Sequence, residues 1–88
     1  MEHLKKYPLT QGKLGLYMEF TSMEVVDELE NIRYTTYGLC VTSAQEGVLF
    51  AAPDVNTDMQ YVQSFIELCT RGDVHPVHIP DLLEDYLA

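Results

Sequence analysis

Apolar residues recur at every second position over residues 14–20, and less apolar residues lie between them. Tyr17 and Glu19 fall on one side of this segment, while Leu16 and Met18 fall on the other. A period of two is typical of a strand that turns one face toward a core. The pattern therefore predicts a first strand from Leu14 to Phe20.

Two further runs, Ile32–Thr42 and Val48–Ala52, are rich in β-branched and aromatic residues and predict a second and a third strand. The segment between them, Ser43–Gly47, has the length of a hairpin turn. Gly38 lies in the middle of the second run and indicates a bulge or a close approach by another backbone. Alternation gives this strand two faces, one of which carries Tyr34, Thr36, Cys40 and Thr42.

Residues 21–31 fit two structures. The letters T-S-M-E read as a helical capping box, and the apolar residues that follow have helical spacing. Val25 and Val26 are β-branched, however, and the same run suits an extension of the first strand to a turn near Glu30 and Asn31. We favour an irregular or strand-like connection over a short helix.

The spacing of apolar residues over residues 58–71 predicts the main helix, because these side chains would cover about half of a helical cylinder. Thr57 and Gln60 fit a capping box at its start, and Gly72 is expected to form a left-handed cap at its end. An apolar face this wide is more than a single contact with the sheet requires. We therefore expect the helix to pack against two partners.

A short closing helix over residues 80–88 supplies the second partner. Pro80 suits the first helical position, and the prolines after His75 and Ile79 favour extended backbone at those two residues. A helix of this length is unstable alone and must dock. The side chains expected to dock it on the main helix are Leu82, Leu83, Tyr86 and Leu87.

Together these elements predict an α+β fold. It consists of a three-stranded antiparallel β-meander packed against one main helix and a short C-terminal helix. Residues 1–13 are expected to be a partly ordered N-terminal arm, because Pro8 and Gly12 interrupt them. Residues 14–88 are expected to form a single α+β domain.

The charge distribution narrows the classes of partner. The chain of 88 residues has a formal net charge of −9, which repels phosphate backbones and anionic membrane surfaces. We therefore expect neither nucleic-acid nor membrane binding. No apolar run is long enough to span a bilayer, and the N-terminus lacks the features of a signal peptide, so a cytoplasmic location is expected.

The string Y-G-L-C-V, the strand ending in A-A-P-D and the closing V-H-P-V-H-I-P-D-L-L-E-D-Y-L resemble a family of small uncharacterised bacterial proteins. In that family a Tyr-Gly-Ile-type strand and a Pro-x-His-Leu-type segment precede a C-terminal helix. The corresponding residues here are Tyr37–Leu39 and Pro76–Ile79, and the resemblance covers about residues 34–88. It implies a fold and a bacterial cytosolic setting, but it brings no activity.

Candidate chemistry is sparse. His75 and His78 are the only histidines with local spacing, and zinc needs three or four ligands, so they are read as structural or surface residues. Cys40 and Cys69 fall on elements expected to pack, which favours buried, reduced and inert thiols. We therefore expect no enzyme activity, no catalytic residue, no cofactor and no metal site.

The face of the sheet away from the helices is the most plausible functional surface. Its expected interface residues are Tyr17, Tyr34 and Thr36, because tyrosine is enriched at protein interfaces. The leading hypothesis is a non-catalytic protein-interaction or regulatory module that binds an unknown protein or associates with itself as a homodimer. The alternative is a small-molecule or metal sensor that uses the linker around His75 and His78.

Overall fold

In a computed structural model of the chain, which describes residues 2–9, 15–72 and 74–88, an antiparallel sheet is covered on one face by helices. The strands lie in the order β1-β2-β3-β4. Their bounds are β1 Glu2–Pro8, β2 Leu16–Asp27, β3 Ile32–Ser43 and β4 Gly47–Asn56. The main helix α1 spans Met59–Arg71, a 3₁₀ turn spans Pro76–His78 and the closing helix α2 spans Ile79–Leu87.

The α+β class and the antiparallel meander are confirmed, but the predicted number of strands is wrong by one. Glu2–Pro8, part of the segment expected to be a loose arm, pairs with β2 as an edge strand. Pro8 is compatible with that position because it ends an edge strand, where a missing backbone donor costs little. Residues 10–13 of the expected arm lie outside the described residues.

The β2–β3 hairpin settles the conformation of residues 21–31. Strand β2 continues to Asp27, so the favoured strand-like interpretation is confirmed and the short helix is wrong. Asn31 adopts a left-handed backbone with φ of 55° in the turn, a conformation that asparagine tolerates better than most residues. The Asp27 carboxylate accepts hydrogen bonds from the backbone N–H groups of Leu29 and Glu30 and fixes the turn.

The register of the strands places the core on one face. Phe20 lies opposite Leu39 and Met18 opposite Val41, and all four side chains are buried under α1. Gly38 is required by its neighbours, because a Cβ at that position would lie 2.5 Å from the carbonyl of Pro53. The predicted close approach of another backbone at Gly38 is therefore confirmed.

The main helix buries Val62, Phe65, Ile66 and Cys69 against the sheet, as its apolar face predicts, but its caps differ from those expected. Asp58, not Thr57, is the N-cap, and its side chain accepts a hydrogen bond from the backbone of Gln60. Gly72 does end the helix, yet its φ of −79° and ψ of −5° are right-handed. The predicted left-handed cap is therefore wrong.

Helix α2 docks on α1 through fewer side chains than expected. Leu83 is buried and Tyr86 half-buried, whereas Leu82 and Leu87 are exposed. The Tyr61 hydroxyl donates to the Tyr86 carbonyl at 2.8 Å, and the Tyr86 hydroxyl donates to the Tyr61 carbonyl at 3.3 Å. These two hydrogen bonds join α1 to α2.

The segment that leads into α2 is more tightly wound than expected. His75 is extended, as predicted, with φ of −66° and ψ of 136°. Ile79 is helical, with φ of −61° and ψ of −43°, so the extended backbone expected before Pro80 is wrong. Pro80 is accommodated in the first turn of α2, where backbone N–H groups have no helical acceptor. Burial of Ile79 in the core favours this arrangement.

Candidate functional site

The face of the sheet that α1 and α2 leave uncovered is called the helix-free face below. Its residues alternate with those of the core along β2 and β3, and they include every interface residue predicted from the sequence. Thr36 lies on this face but is fully buried, and its hydroxyl donates to the Asp54 carboxylate at 2.6 Å. Thr36 therefore holds β3 against the end of β4 and presents no surface to a partner.

Tyr17 and Tyr34 share the helix-free face, but the structure does not bring them together. Tyr17 lies opposite Thr42 and Tyr34 lies opposite Val25, eight positions farther along β2. At about 3.3 Å per residue this separation is roughly 26 Å. They lie in different regions of the same face, and Tyr17 is half-buried beside the Lys6 ammonium, which lies 5.7 Å from its ring centre.

The β2–β3 hairpin extends beyond the body of the sheet. Strand β1 pairs with β2 only as far as Ser22, and β4 pairs with β3 only as far as Tyr37. Residues 23–36 therefore form a two-stranded ribbon whose strands pair only with each other among the described residues. The ribbon contributes to an elongated molecule with extents of 47 × 27 × 18 Å.

One face of the ribbon is mostly apolar and the other is mostly polar. Cross-strand pairing places Val25 opposite Tyr34 and Asp27 opposite Ile32. The side chains of Met23, Val25, Ile32 and Tyr34 form what is called the apolar ribbon face, with Ile32 44% and Tyr34 41% exposed. The opposite face carries an ion pair in which Arg33 Nη1 lies 3.5 Å from Glu24 Oε1, next to Thr35, together with one apolar side chain, Val26.

Acidic residues surround the tip of the ribbon. Asp27, Glu28 and Glu30 are all exposed there, and Leu29 between them is 99% exposed. Apolar side chains exposed to water beside carboxylates that have no cationic partner among the described residues favour apolar and basic groups on a partner.

A second feature of the helix-free face is a cluster formed by His3, Glu19 and Cys40. Cys40 lies directly opposite Glu19 on β3, and β1 brings His3 alongside. His3 Nδ1 is in direct contact with Glu19 Oε2, while the Cys40 sulfur lies 3.6 Å from Glu19 Oε2 and 3.9 Å from His3 Nδ1. The other carboxylate oxygen, Oε1, lies 3.8 Å from the Lys6 ammonium.

Both thiols are buried and reduced, as the sequence predicts. Burial and, after it, the neighbouring Glu19 carboxylate together raise the pKa of Cys40 to about 11. Burial alone raises the pKa of Cys69 to about 11. Both groups are therefore expected to be protonated, and so to be poor nucleophiles, at neutral pH.

A groove lies on the other side of the molecule, between the β3–β4 turn and the segment before α2. It encloses about 800 Å³. Its lining residues are Leu16, Val41, Ser43, Gln45, Glu46, Leu49, Phe50, His75, Pro76, Val77 and Pro80. His75 lines the groove but its Nδ1 accepts a hydrogen bond from the Val77 backbone at 3.2 Å, so one ring nitrogen is engaged in local structure.

Comparison with known proteins identifies the chain at the level of family. The model of a family of unknown function, DUF6514, matches residues 9–88. The chain belongs to DUF6514. Neither the curated proteins nor the solved structures contain a match. The resemblance read from the sequence to a family without assigned activity is confirmed, and the match extends well before residue 34, where that resemblance was expected to begin.

In this DUF6514 chain the sequence did not reveal the His3–Glu19–Cys40 cluster. His3 was placed in a loose arm, so no pattern joined it to residues 16 and 37 positions away. Glu19 was the usable signal, because it is a charged residue within an otherwise apolar strand. A carboxylate that is buried on a sheet needs hydrogen-bonding or charged partners. Glu19 and Cys40 lie within the residues that match the family, and His3 precedes them.

The helices of this DUF6514 chain do not have the dimensions of membrane spans. Within residues 2–9, 15–72 and 74–88, no helix is both long and apolar enough to cross a bilayer.

Proposed function

We propose that this DUF6514 protein is a non-catalytic protein-interaction module of the bacterial cytosol, and that its apolar ribbon face binds a partner. The observation that carries the proposal is the two-faced ribbon. Beyond the paired body of the sheet, the ribbon keeps a mostly apolar face on which Ile32 and Tyr34 remain exposed to solvent. An isolated two-stranded hairpin gains little stability by itself. Binding of a partner to its apolar face would bury these side chains and stabilise the ribbon.

The charge of the ribbon favours a basic partner over a second copy of the chain. Two ribbons would bring their exposed carboxylates at Asp27, Glu28 and Glu30 together, and each chain has a net charge of −9. Like charges placed face to face oppose association, whereas lysine and arginine side chains on a partner would be attracted. The proposed partner therefore presents apolar residues flanked by basic ones, and self-association is the less favoured outcome.

Site-specific photo-crosslinking in cells tests this proposal. p-Benzoylphenylalanine replaces Tyr34 on the apolar ribbon face in one variant and Thr35 on the polar face in the matched control. We expect adducts with a basic protein from position 34 and at least about tenfold fewer from position 35, because neighbouring strand residues point to opposite faces. Equal adduct yields at both positions would contradict the proposal, and adducts between two copies of the chain would replace the basic partner with a homodimer.

The groove beside His75 favours a second candidate function, the binding of a small molecule. Its volume of about 800 Å³ falls in the range of ligand pockets, which are mostly apolar with a few polar groups. His75, Ser43 and Glu46 supply such groups around Phe50 and Leu49. A small-molecule screen monitored by backbone NMR tests it: shifts confined to the groove residues and lost in His75→Ala would support this function, and their absence would remove it.

A further inference from the structure

The cluster on the helix-free face has the composition of a metal site. A thiol, an imidazole and a carboxylate converge so that one ligand atom of each lies within 4.8 Å of the other two. Mixed nitrogen, sulfur and oxygen donors suit zinc and its neighbours in the transition series, while calcium and magnesium require oxygen ligands throughout. We propose that His3, Glu19 and Cys40 bind a zinc ion through His3 Nδ1, Glu19 Oε2 and Cys40 Sγ.

The two separations from the Cys40 sulfur fit a tetrahedral ion. With a zinc–sulfur bond of about 2.3 Å and bonds to nitrogen and oxygen of about 2.0–2.1 Å, the sulfur lies about 3.6 Å from each of the other ligands. The corresponding separations from Cys40 Sγ are 3.6 Å to Glu19 Oε2 and 3.9 Å to His3 Nδ1. The ion replaces the direct contact between His3 and Glu19, and the protons of Cys40 and of that contact leave to solvent.

The charges around the cluster favour a dication. A thiolate and a carboxylate together contribute two negative charges, which balance those of zinc. Lys6 is directed at Oε1 of Glu19, so the second oxygen, Oε2, remains toward His3 and Cys40. The His3 side chain is 42% exposed, which gives an ion a route from solvent to ligands that are otherwise buried.

A buried hydroxyl beside the cluster provides a second observation. Thr21 is the next residue after Glu19 on the same face of β2 and pairs with His3 on β1. Its Oγ1 is buried and has no hydrogen-bond partner among the described residues. Buried hydroxyls without partners are costly and rare. Three protein ligands leave one position of a tetrahedral zinc for water, and such a water gives Thr21 the partner it lacks.

Metal titration of the untagged, full-length protein tests the site. Zn²⁺ is titrated by calorimetry, and Co²⁺ is used as an absorption probe because a cobalt–thiolate bond produces a charge-transfer band. We expect one equivalent of Zn²⁺ per chain, with affinity reduced at least about tenfold in His3→Gln and in Cys40→Ser. The cobalt–thiolate band is expected in the wild type and absent in Cys40→Ser.

Matched variants separate this site from other thiols and histidines. Cys69→Ala removes the thiol on α1, and His75→Ala with His78→Ala removes the histidines of the linker; both forms are expected to bind Zn²⁺ as the wild type does. Thr21→Val, which keeps the side-chain volume, is expected to weaken Zn²⁺ about tenfold. Because His3 is partly exposed, His3→Gln reports on binding even where Cys40→Ser fails to fold.

Two results would overturn the proposal. The first is the absence of Zn²⁺ binding by the wild-type protein at stoichiometric concentrations. The second is Zn²⁺ affinity that is unchanged in His3→Gln, or that is lost instead in the linker-histidine variant, which would place any bound ion elsewhere on the chain.

Discussion

At the scale of single residues, burial on the two sides of the sheet has different chemical consequences. Cys69 lies among apolar side chains of the core, whereas Cys40 lies beside the carboxylate of Glu19 and the imidazole of His3. Both thiols have a raised pKa, but of the two only Cys40 has, among the described residues, an imidazole and a carboxylate beside it that could bind the same cation. The sequence predicted burial of both cysteines correctly and gave no sign of this difference between them.

Slow alkylation of both thiols follows from their protonation. In the folded protein the pKa of each is about 11 against an ordinary value of 9.0, and only the thiolate reacts. At pH 8 the thiolate fraction is therefore about 100-fold lower than in the unfolded chain. Metal-free protein treated with iodoacetamide, with each site followed by mass spectrometry, is expected to react at least that much more slowly than protein in urea. A native thiol that reacts at the denatured rate would contradict this account.

The same shifts have a consequence for stability. The folded state holds the thiol protons more tightly than the unfolded state. The protonated thiols therefore contribute fully to the free energy of unfolding below about pH 9, and this contribution is lost as pH rises toward 11.

At the scale of elements, local patterns predicted most of the structure and missed what depends on distant pairing. The alternation in β2 and β3 assigned their faces correctly, and Gly38 marked a close backbone approach before any contact was known. Strand β1 was missed because the sequence of Glu2–Pro8 has little apolar periodicity. Most of its side chains are exposed on both faces of the strand. Its conformation is fixed by pairing with β2, which no local pattern reveals.

The closing helix shows the same limit. Its amphipathic pattern predicted docking on α1, but a helical wheel does not distinguish side chains that reach the partner helix from those at the rim. Leu83 is 5% exposed and Leu87 is 48% exposed, although both were expected to dock.

Paired substitutions in α2 test how this helix docks. Leu83→Ala is expected to lower the free energy of unfolding by about 2–4 kcal/mol, because it removes a buried side chain and leaves a cavity. Leu87→Ala removes the same atoms from an exposed position and is expected to cost less than about 1 kcal/mol. Urea denaturation measures both, and equal losses would contradict the docking seen here.

At the scale of the whole molecule, the fold divides its tasks between two faces. The helices and the core face of the sheet provide stability, while the helix-free face carries the His3–Glu19–Cys40 cluster and continues into the apolar ribbon face. Acids at the tip of the ribbon concentrate negative charge where apolar side chains are most exposed. The sequence-based hypothesis of an interaction surface on this side is retained as a proposal, moved to the ribbon and without Thr36.

The most direct test of the central proposal compares two matched substitutions on opposite faces of the ribbon. Wild-type protein, Tyr34→Ser and Thr35→Ser are each immobilised, and the amount of the crosslinked basic partner that they bind is measured over a range of salt concentrations. We expect Tyr34→Ser to reduce binding at least about tenfold and Thr35→Ser to change it less than about twofold, with wild-type binding weakened by salt. Equal binding by all three forms would contradict the assignment of the apolar ribbon face as the recognition surface.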